Sequence, residues 1–251
     1  MHLVRFSLAL SLCLGWAGNS FAQDRETKVR SDKDKIEQAG EWIYNDLNAG
    51  LQLAKESGKP VLVVMRCVPC EACAQLDEQV IQRDRELKQL MNEFVCVRII
   101  ATNGMDLHLM QYDYDQSWAA LMMDADRNLY GRYGTRSHET RSDQDVSVQG
   151  FADSLKIALD WHRTGKSKDV FSAKLGPVPP YAKPELFPNF QGKFTDKLNY
   201  EGKVVQSCIH CHQIGEAQRL IYRSDSRSVP EQLIFPYPNP KILGLTMDPR
   251  K

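Results

Sequence analysis

The chain lacks an excess of charge of either sign, because its 251 residues include 32 Lys and Arg against 32 Asp and Glu. Nucleic-acid-binding proteins usually carry a basic excess, so this balance argues against that class of partner. The chain also lacks a long apolar run: the best candidate, residues 6–17, is too short to span a bilayer. We therefore expect a globular protein without an integral membrane segment once its N-terminal signal is removed, in keeping with its 42% hydrophobic composition.

The first 22 residues differ in composition from the rest of the chain. A short polar start precedes the apolar residues 6–17, and Ser20-Phe21-Ala22 offers a small-x-small cleavage site. This order is typical of an export signal, so we predict that residues 1–22 are removed and that the mature protein is periplasmic. Cys13 then belongs to the discarded segment.

The chain has too few cysteines for a small fold held together by disulfides, since six remain in about 230 residues after the signal. Because they are clustered, a redox or ligand-binding role is favoured over structural disulfides. Residues 67–73, the upstream cysteine motif, have the sequence CVPCEAC and lie between a predicted buried strand and a predicted helix. A thiol at a helix N-terminus ionises more readily, and a partner three residues later can close a disulfide. Cys96 stands alone in a predicted strand, which favours core packing.

Hydrophobic periodicity predicts alternating helices and strands in the first two thirds of the chain. The order of strand, helix, strand, hairpin and closing helix is typical of an α/β domain with a small mixed sheet. The predicted elements are helix 41–56, strand 61–65, helix 72–91, strand 94–100, strands 119–123 and 129–133, and helix 146–162.

The remaining segments give the predicted domain organisation. Residues 23–37 are charged and almost free of large apolar groups, so we expect a flexible lead-in to a domain at 38–166. A Pro-rich connector follows at 167–189. Residues 190–251 form a second unit, mostly helical or irregular, that is too small to bury a core unaided.

Residues 208–212, the C-terminal motif, have the sequence CIHCH. In an exported protein this pattern indicates covalent attachment of one haem c, because two thiols add to the haem vinyl groups and the adjacent histidine binds iron. We therefore predict haem attachment at Cys208 and Cys211 with His212 as the proximal ligand. A zinc site is disfavoured because no second ligand pair lies downstream. A haem would supply the apolar centre that this segment lacks.

The sixth iron ligand is open at this point. Met247 is a candidate because a distal thioether commonly lies downstream of the motif. His138 and His162 are alternatives, as is an open position. His210, inside the motif, is predicted to face solvent or a haem propionate. A short helix over residues 213–222 is predicted to follow the motif.

Two family resemblances follow from these motifs. The run from KPVLV at 59–63 to CEACAQLD at 70–77 resembles exported thioredoxin-like proteins, as does the hairpin around 124–134. The resemblance implies a three-layer domain in which Cys70 attacks and Cys73 resolves a mixed disulfide. The sequence departs from that family where Pro69 replaces the usual Trp and where Trp118 stands in place of a cis-proline. The C-terminal motif resembles cytochrome c over a few dozen residues.

We therefore predict an exported redox protein that combines thiol–disulfide exchange at Cys70 and Cys73 with electron transfer by one haem c. Its partners would be redox proteins or thiol and disulfide substrates. Two alternatives are open. Cys67, Cys70 and Cys73 could instead bind or sense a soft metal such as copper, or the thioredoxin-like part could be an inactive platform for a plain electron-carrier cytochrome.

Overall fold

The computed structural model describes residues 13–68, 84–116, 118–135, 147–165 and 179–234. Within these residues, five strands form one mixed sheet in the order β1-β3-β2-β4-β5. Central strand β2 pairs in parallel with β3 and antiparallel with β4, and β4 continues antiparallel to β5. The sheet confirms the predicted α/β class. The strands are β1 Ile43–Tyr44, β2 Val61–Arg66, β3 Val95–Ile99, β4 Trp118–Met123 and β5 Leu129–Thr135.

Seven α-helices and one 3₁₀ turn at Pro184–Leu186 complete the described elements. The predicted helix at 41–56 starts later, at Leu47, because the Asp46 carboxylate caps it by accepting a hydrogen bond from the Ala49 N–H at 2.9 Å. The residues before the cap form β1 instead. The helices are α1 Cys13–Ala39, α2 Leu47–Ser57, α3 Arg85–Met91, α4 Val148–Thr164, α5 Val204–Ser207, α6 Cys211–Ser224 and α7 Glu231–Ile234.

Both faces of the sheet are apolar, because every residue of β2, β3 and β4 is buried. Alternation along β2 sends Leu62 and Val64 to one face and Val61, Val63 and Met65 to the other. The first face, here called the helical face, packs against α3 and α4. Its largest buried side chains are Leu62, Leu87, Trp118, Met122, Phe151 and Leu155.

The second face, here called the C-terminal face, packs against α2 and against residues from the last third of the chain. Helix α2 approaches closely because Gly50 has no side chain: a Cβ there would collide with Val97 of β3. The other buried side chains on this face include Leu107, Met110, Phe187, Phe190, Ile209, Ile214 and Ala217.

The C-terminal face shows where the predicted C-terminal unit packs. Residues 190–251 were expected to form a separate unit with a haem at its centre, but Phe190, Ile209 and Ile214 belong to the core of the sheet. Phe187, from the predicted connector, is fully buried in the same core. The apolar side chains of this segment therefore find a partner surface in the sheet, which supplies the core that the segment could not build alone.

Residues 23–37 also differ from the prediction, since they lie in helix α1 rather than in a flexible lead-in. The Asp32 carboxylate is held by Arg66 at 2.7 Å and by Arg98 at 3.1 Å, and it accepts a hydrogen bond from the Tyr44 hydroxyl at 2.9 Å. These partners come from three strands, so tertiary contacts stabilise a helix that composition alone disfavours. No helix in the described part of the chain is long and apolar enough to cross a membrane.

Candidate functional site

The upstream cysteine motif begins where the chain leaves the centre of the sheet. Cys67 directly follows Arg66, the last residue of β2, and is half-buried. Strand β4 begins beside it, because Trp118 is in register with Arg66. Trp118, which occupies the position of the expected cis-proline, is fully buried and packs edge-on against Phe151 with ring centroids 5.1 Å apart. The start of the motif therefore sits on a rigid scaffold.

Several predicted site residues lie outside the described residues. They include both members of the proposed exchange pair and the candidate distal haem ligands. The roles predicted for them stay predictions. These residues are Cys70, Cys73, His138 and Met247.

The C-terminal motif is docked beside the end of β3 by hydrogen bonds to its backbone. The Ile209 carbonyl accepts hydrogen bonds from the Thr102 N–H at 2.9 Å and from the Thr102 hydroxyl at 2.8 Å. The Ile209 N–H donates to the Asn103 side-chain oxygen at 2.8 Å, while the Asn103 amide nitrogen donates to the Ser207 carbonyl at 2.9 Å. Thr102 is fully buried. These bonds fix the position and direction of the motif on the sheet.

This docking brings the two cysteine motifs together, because parallel strands β2 and β3 end at the same edge of the sheet. Cys67 follows β2 and Thr102 lies just beyond β3. As a result, the Cys67 Sγ lies 3.4 Å from the His210 Nδ1, although the two residues are 143 positions apart in the sequence. The thiol and the imidazole thus meet where the two motifs touch.

His210, predicted to face solvent or a haem propionate, contacts the upstream cysteine motif. It is half-buried against Cys67, and its ring stacks parallel to that of His212 at 5.8 Å. Burial, followed by the nearby His212 and Arg25, lowers the pKa of His210 to about 4. His210 is therefore neutral at physiological pH, with a ring nitrogen free of its proton.

The two cysteines of the C-terminal motif face different surroundings. Cys208 is buried and its thiol donates to the Val204 carbonyl at 3.2 Å; burial, with a contribution from Glu26, raises its pKa to about 11. The Cys211 sulfur accepts a hydrogen bond from the Tyr112 hydroxyl at 3.0 Å, and burial raises its pKa as well. Burial therefore disfavours the thiolate form of both cysteines.

These surroundings test whether the predicted haem fits. The donor set is that of a haem c site, but a haem needs both sulfurs and the proximal imidazole around one shared space. Here the Cys211 sulfur contacts Tyr112 at the core, the Cys208 thiol is bonded beneath α5, and His212 is exposed. Both thiols would have to leave these contacts before a haem could attach, and no reaction step below passes through one.

His162, an alternative iron ligand in the sequence analysis, has both ring nitrogens engaged. Its Nδ1 lies 2.7 Å from the Tyr130 hydroxyl and its Nε2 lies 2.9 Å from the Gly58 carbonyl. The side chain therefore links α4 to the end of α2 and to β5. Cys96 is buried as predicted, and burial raises its pKa to about 12.

Sequence reasoning missed three residues that shape this site. Thr102 and Asn103 dock the C-terminal motif, and Asp32 fixes Arg66, the residue before Cys67. Asp32 lies in the charged run 23–37, whose composition did not indicate a structural role for any one of its residues. A polar pair directly after a buried strand, as at 102–103, is the one local feature that could have indicated a functional edge of the sheet.

Comparison with known proteins concerns the first half of the chain. Residues 42–125 match the family described as thioredoxin-like. The five-stranded mixed sheet of the described residues has a thioredoxin-like fold. The match includes the upstream cysteine motif and ends before the C-terminal motif.

Among solved structures, the chain is similar to a disulphide isomerase from Xylella fastidiosa Temecula1, with 23% sequence identity and a TM-score of 0.33. That similarity covers 44% of this chain and 86% of the isomerase. A comparison with curated proteins gives no match.

Proposed function

We propose that this protein is an exported thiol–disulfide oxidoreductase whose exchange pair is Cys70 and Cys73. The observation that carries the proposal is the place of the upstream cysteine motif. It starts at Cys67, immediately after the central strand of a thioredoxin-like domain, at the edge of the sheet where β3 also ends. A rigid sheet edge is a suitable support for a reactive thiol.

The chemistry follows from the two thiols. The Cys70 thiolate attacks one sulfur of a substrate disulfide, which forms a mixed disulfide and releases the other substrate sulfur as a thiolate. The Cys73 thiolate then attacks Cys70, which releases the second substrate thiolate and leaves a Cys70–Cys73 disulfide. The protein loses two electrons and the substrate gains them. A dithiol partner protein restores the reduced pair, and the reverse sequence would oxidise a substrate dithiol.

Single substitutions test the roles. In a disulfide-reduction assay with dithiothreitol as the reductant, Cys70→Ser should reduce the rate to the uncatalysed background. Cys73→Ser should instead trap the mixed disulfide with substrate, visible by non-reducing electrophoresis. Cys96→Ser is the matched control, because it removes a buried thiol from the same sheet. Full activity in Cys70→Ser would contradict the proposal.

Haem attachment at Cys208 and Cys211 is a second candidate function, supported by the CIHCH sequence and by the exposed imidazole of His212. It would make the protein an electron carrier as well. Attachment requires both thiols to leave their present contacts with Val204 and Tyr112. Mass spectrometry of the mature, denatured protein from a host that matures cytochromes tests this. An added mass of one haem supports attachment, and unmodified sulfurs contradict it.

A further inference from the structure

We infer that His210 is a positioning residue for thiol exchange, which it serves by holding Cys67 at the start of the upstream cysteine motif. The inference rests on the proposed exchange at Cys70 and Cys73. It adds to that site a residue that lies outside the thioredoxin-like match at 42–125. The last third of the chain then supports the exchange motif as well as the core of the sheet.

The two described residues of the upstream cysteine motif both lie against other parts of the chain. The Cys67 Sγ is 3.4 Å from the His210 Nδ1, which is hydrogen-bonding distance for a sulfur atom. The next residue, Val68, is buried in an apolar cluster whose other buried members come from α1, from the chain just after β3 and from α5: Val29, Ile100 and Val204. The start of the motif is therefore enclosed by segments on both sides of the thioredoxin-like match.

His210 can restrain Cys67 because His210 is itself anchored. The preceding residue, Ile209, is fully buried, and its backbone is hydrogen-bonded to Thr102 and Asn103. The His210 N–H donates to the Gln213 side-chain oxygen at 2.8 Å. A functional side chain is held most precisely when the residues that support it are themselves locked by packing and hydrogen bonds.

A restraint on Cys67 acts close to the attacking thiol. Consecutive Cα atoms are about 3.8 Å apart, so the Cα atoms of Cys67 and Cys70 can be at most about 11 Å apart whatever the conformation between them. Exchange requires the attacking sulfur to meet the substrate disulfide in a suitable orientation, and small displacements of a reacting group lower rates strongly. Fixing the start of the motif removes conformations in which the attacking thiol is misaligned.

Steady-state disulfide reduction tests the inference in full-length protein produced without cytochrome maturation, with dithiothreitol as the reductant. His210→Ala should lower kcat at least about 5-fold and leave KM unchanged, because alignment of the thiol is lost while the substrate-binding surface is kept. Cys67→Ala should have the same effect. The matched controls, His108→Ala with an exposed imidazole and Cys96→Ser with a buried thiol, should leave kcat unchanged.

A double-mutant cycle tests whether His210 acts through Cys67. Residues that act through one shared contact have non-additive effects, so the double variant Cys67→Ala/His210→Ala should be no slower than either single variant. His210→Gln keeps a side chain that can form a hydrogen bond with the thiol, and it should restore at least about half of kcat. A purely structural role would not produce this rescue together with an unchanged KM.

The outcomes separate this inference from the proposed function. Unaltered kcat in His210→Ala, or a double variant in which the two losses multiply, would overturn the inference and leave the proposed function standing. Absence of turnover in the unaltered protein, or full turnover in Cys70→Ser, would contradict the proposed function and the inference with it. Urea unfolding checks that each variant is folded. If His210→Ala is not, unaltered kcat in folded Cys67→Ala would overturn the inference instead.

Discussion

The two faces of the sheet are closed in different ways. The helical face is covered by α3 and α4, which lie close in sequence to the strands that they cover. The C-terminal face is covered by α2 and by side chains from residues 105–114 and 181–221. The second cysteine motif is therefore carried by a segment that the sheet needs for its own core, so the motif is held in place by the same packing that stabilises the domain.

The largest expected effects come from truncating one aromatic side chain on each face. Phe187 on the C-terminal face and Phe151 on the helical face are both fully buried. Phe187→Ala and Phe151→Ala should each lower the free energy of unfolding by about 3–5 kcal/mol, measured by urea denaturation.

Equal losses in one shared transition would show that both faces belong to one cooperative unit. A single cooperative unit would be contradicted if Phe187→Ala left the unfolding midpoint of the sheet unchanged while Phe151→Ala lowered it. That result would mean that the C-terminal segment folds as a separate unit.

A smaller effect is expected at α1, which contacts the sheet and helix α5. Asp32→Ala removes a carboxylate that binds the buried guanidinium groups of Arg66 and Arg98, which should cost about 3 kcal/mol. Glu26→Ala removes the acceptor of the Val204 and Val205 N–H groups and should cost about 1 kcal/mol.

Asp34→Ala is the control for both substitutions, since Asp34 lies exposed on the same helix and should change stability by less than about 0.5 kcal/mol. Thermal or urea unfolding measures all three variants. Equal stability of Asp32→Ala and Asp34→Ala would mean that α1 does not hold the ends of β2 and β3.

Another modest effect depends on pH and concerns the helical face alone. Burial raises the pKa of Cys96 from its ordinary value of 9.0 to about 12. The unfolded chain therefore loses this proton first, so the contribution of Cys96 is complete below pH 9 and is lost as the pH rises towards 12. At pH 10 the loss should be about 1.4 kcal/mol relative to pH 8.

Cys96→Ala separates the stability loss caused by Cys96 from the losses caused by other groups that ionise at high pH. Urea unfolding at pH 8 and pH 10 should show a stability loss in the unaltered protein that exceeds the loss in Cys96→Ala by this amount. The same loss in both proteins would contradict the burial of this thiol.

The sequence predicted the sheet better than it predicted the site. Continuous apolar runs such as 61–65 and 119–123 have few structures open to them other than a buried strand, and they form β2 and β4. The start of α2 was misplaced because a single cap, Asp46, outweighed the helical periodicity before it.

The packing of the C-terminal segment could not be predicted in the same way. Periodicity shows that Ile214 and Ala217 share an apolar helix face, but it does not show which surface covers that face. The contact between Cys67 and His210 depends on β2 and β3 ending together and on Thr102 and Asn103 docking the motif, so no local spacing encodes it. Long-range contacts of this kind are set by topology.

Helix α1 has a consequence for the order in which the molecule can be completed. Its Glu26 and Arg30 side chains are bonded to backbone groups that lie 170 or more positions further along the chain. During synthesis, these bonds can form only after nearly all of the polypeptide has emerged. A nascent chain interrupted before residue 200 would therefore lack these contacts, and its first helix would be held to the sheet through Asp32 but not to the later part of the chain.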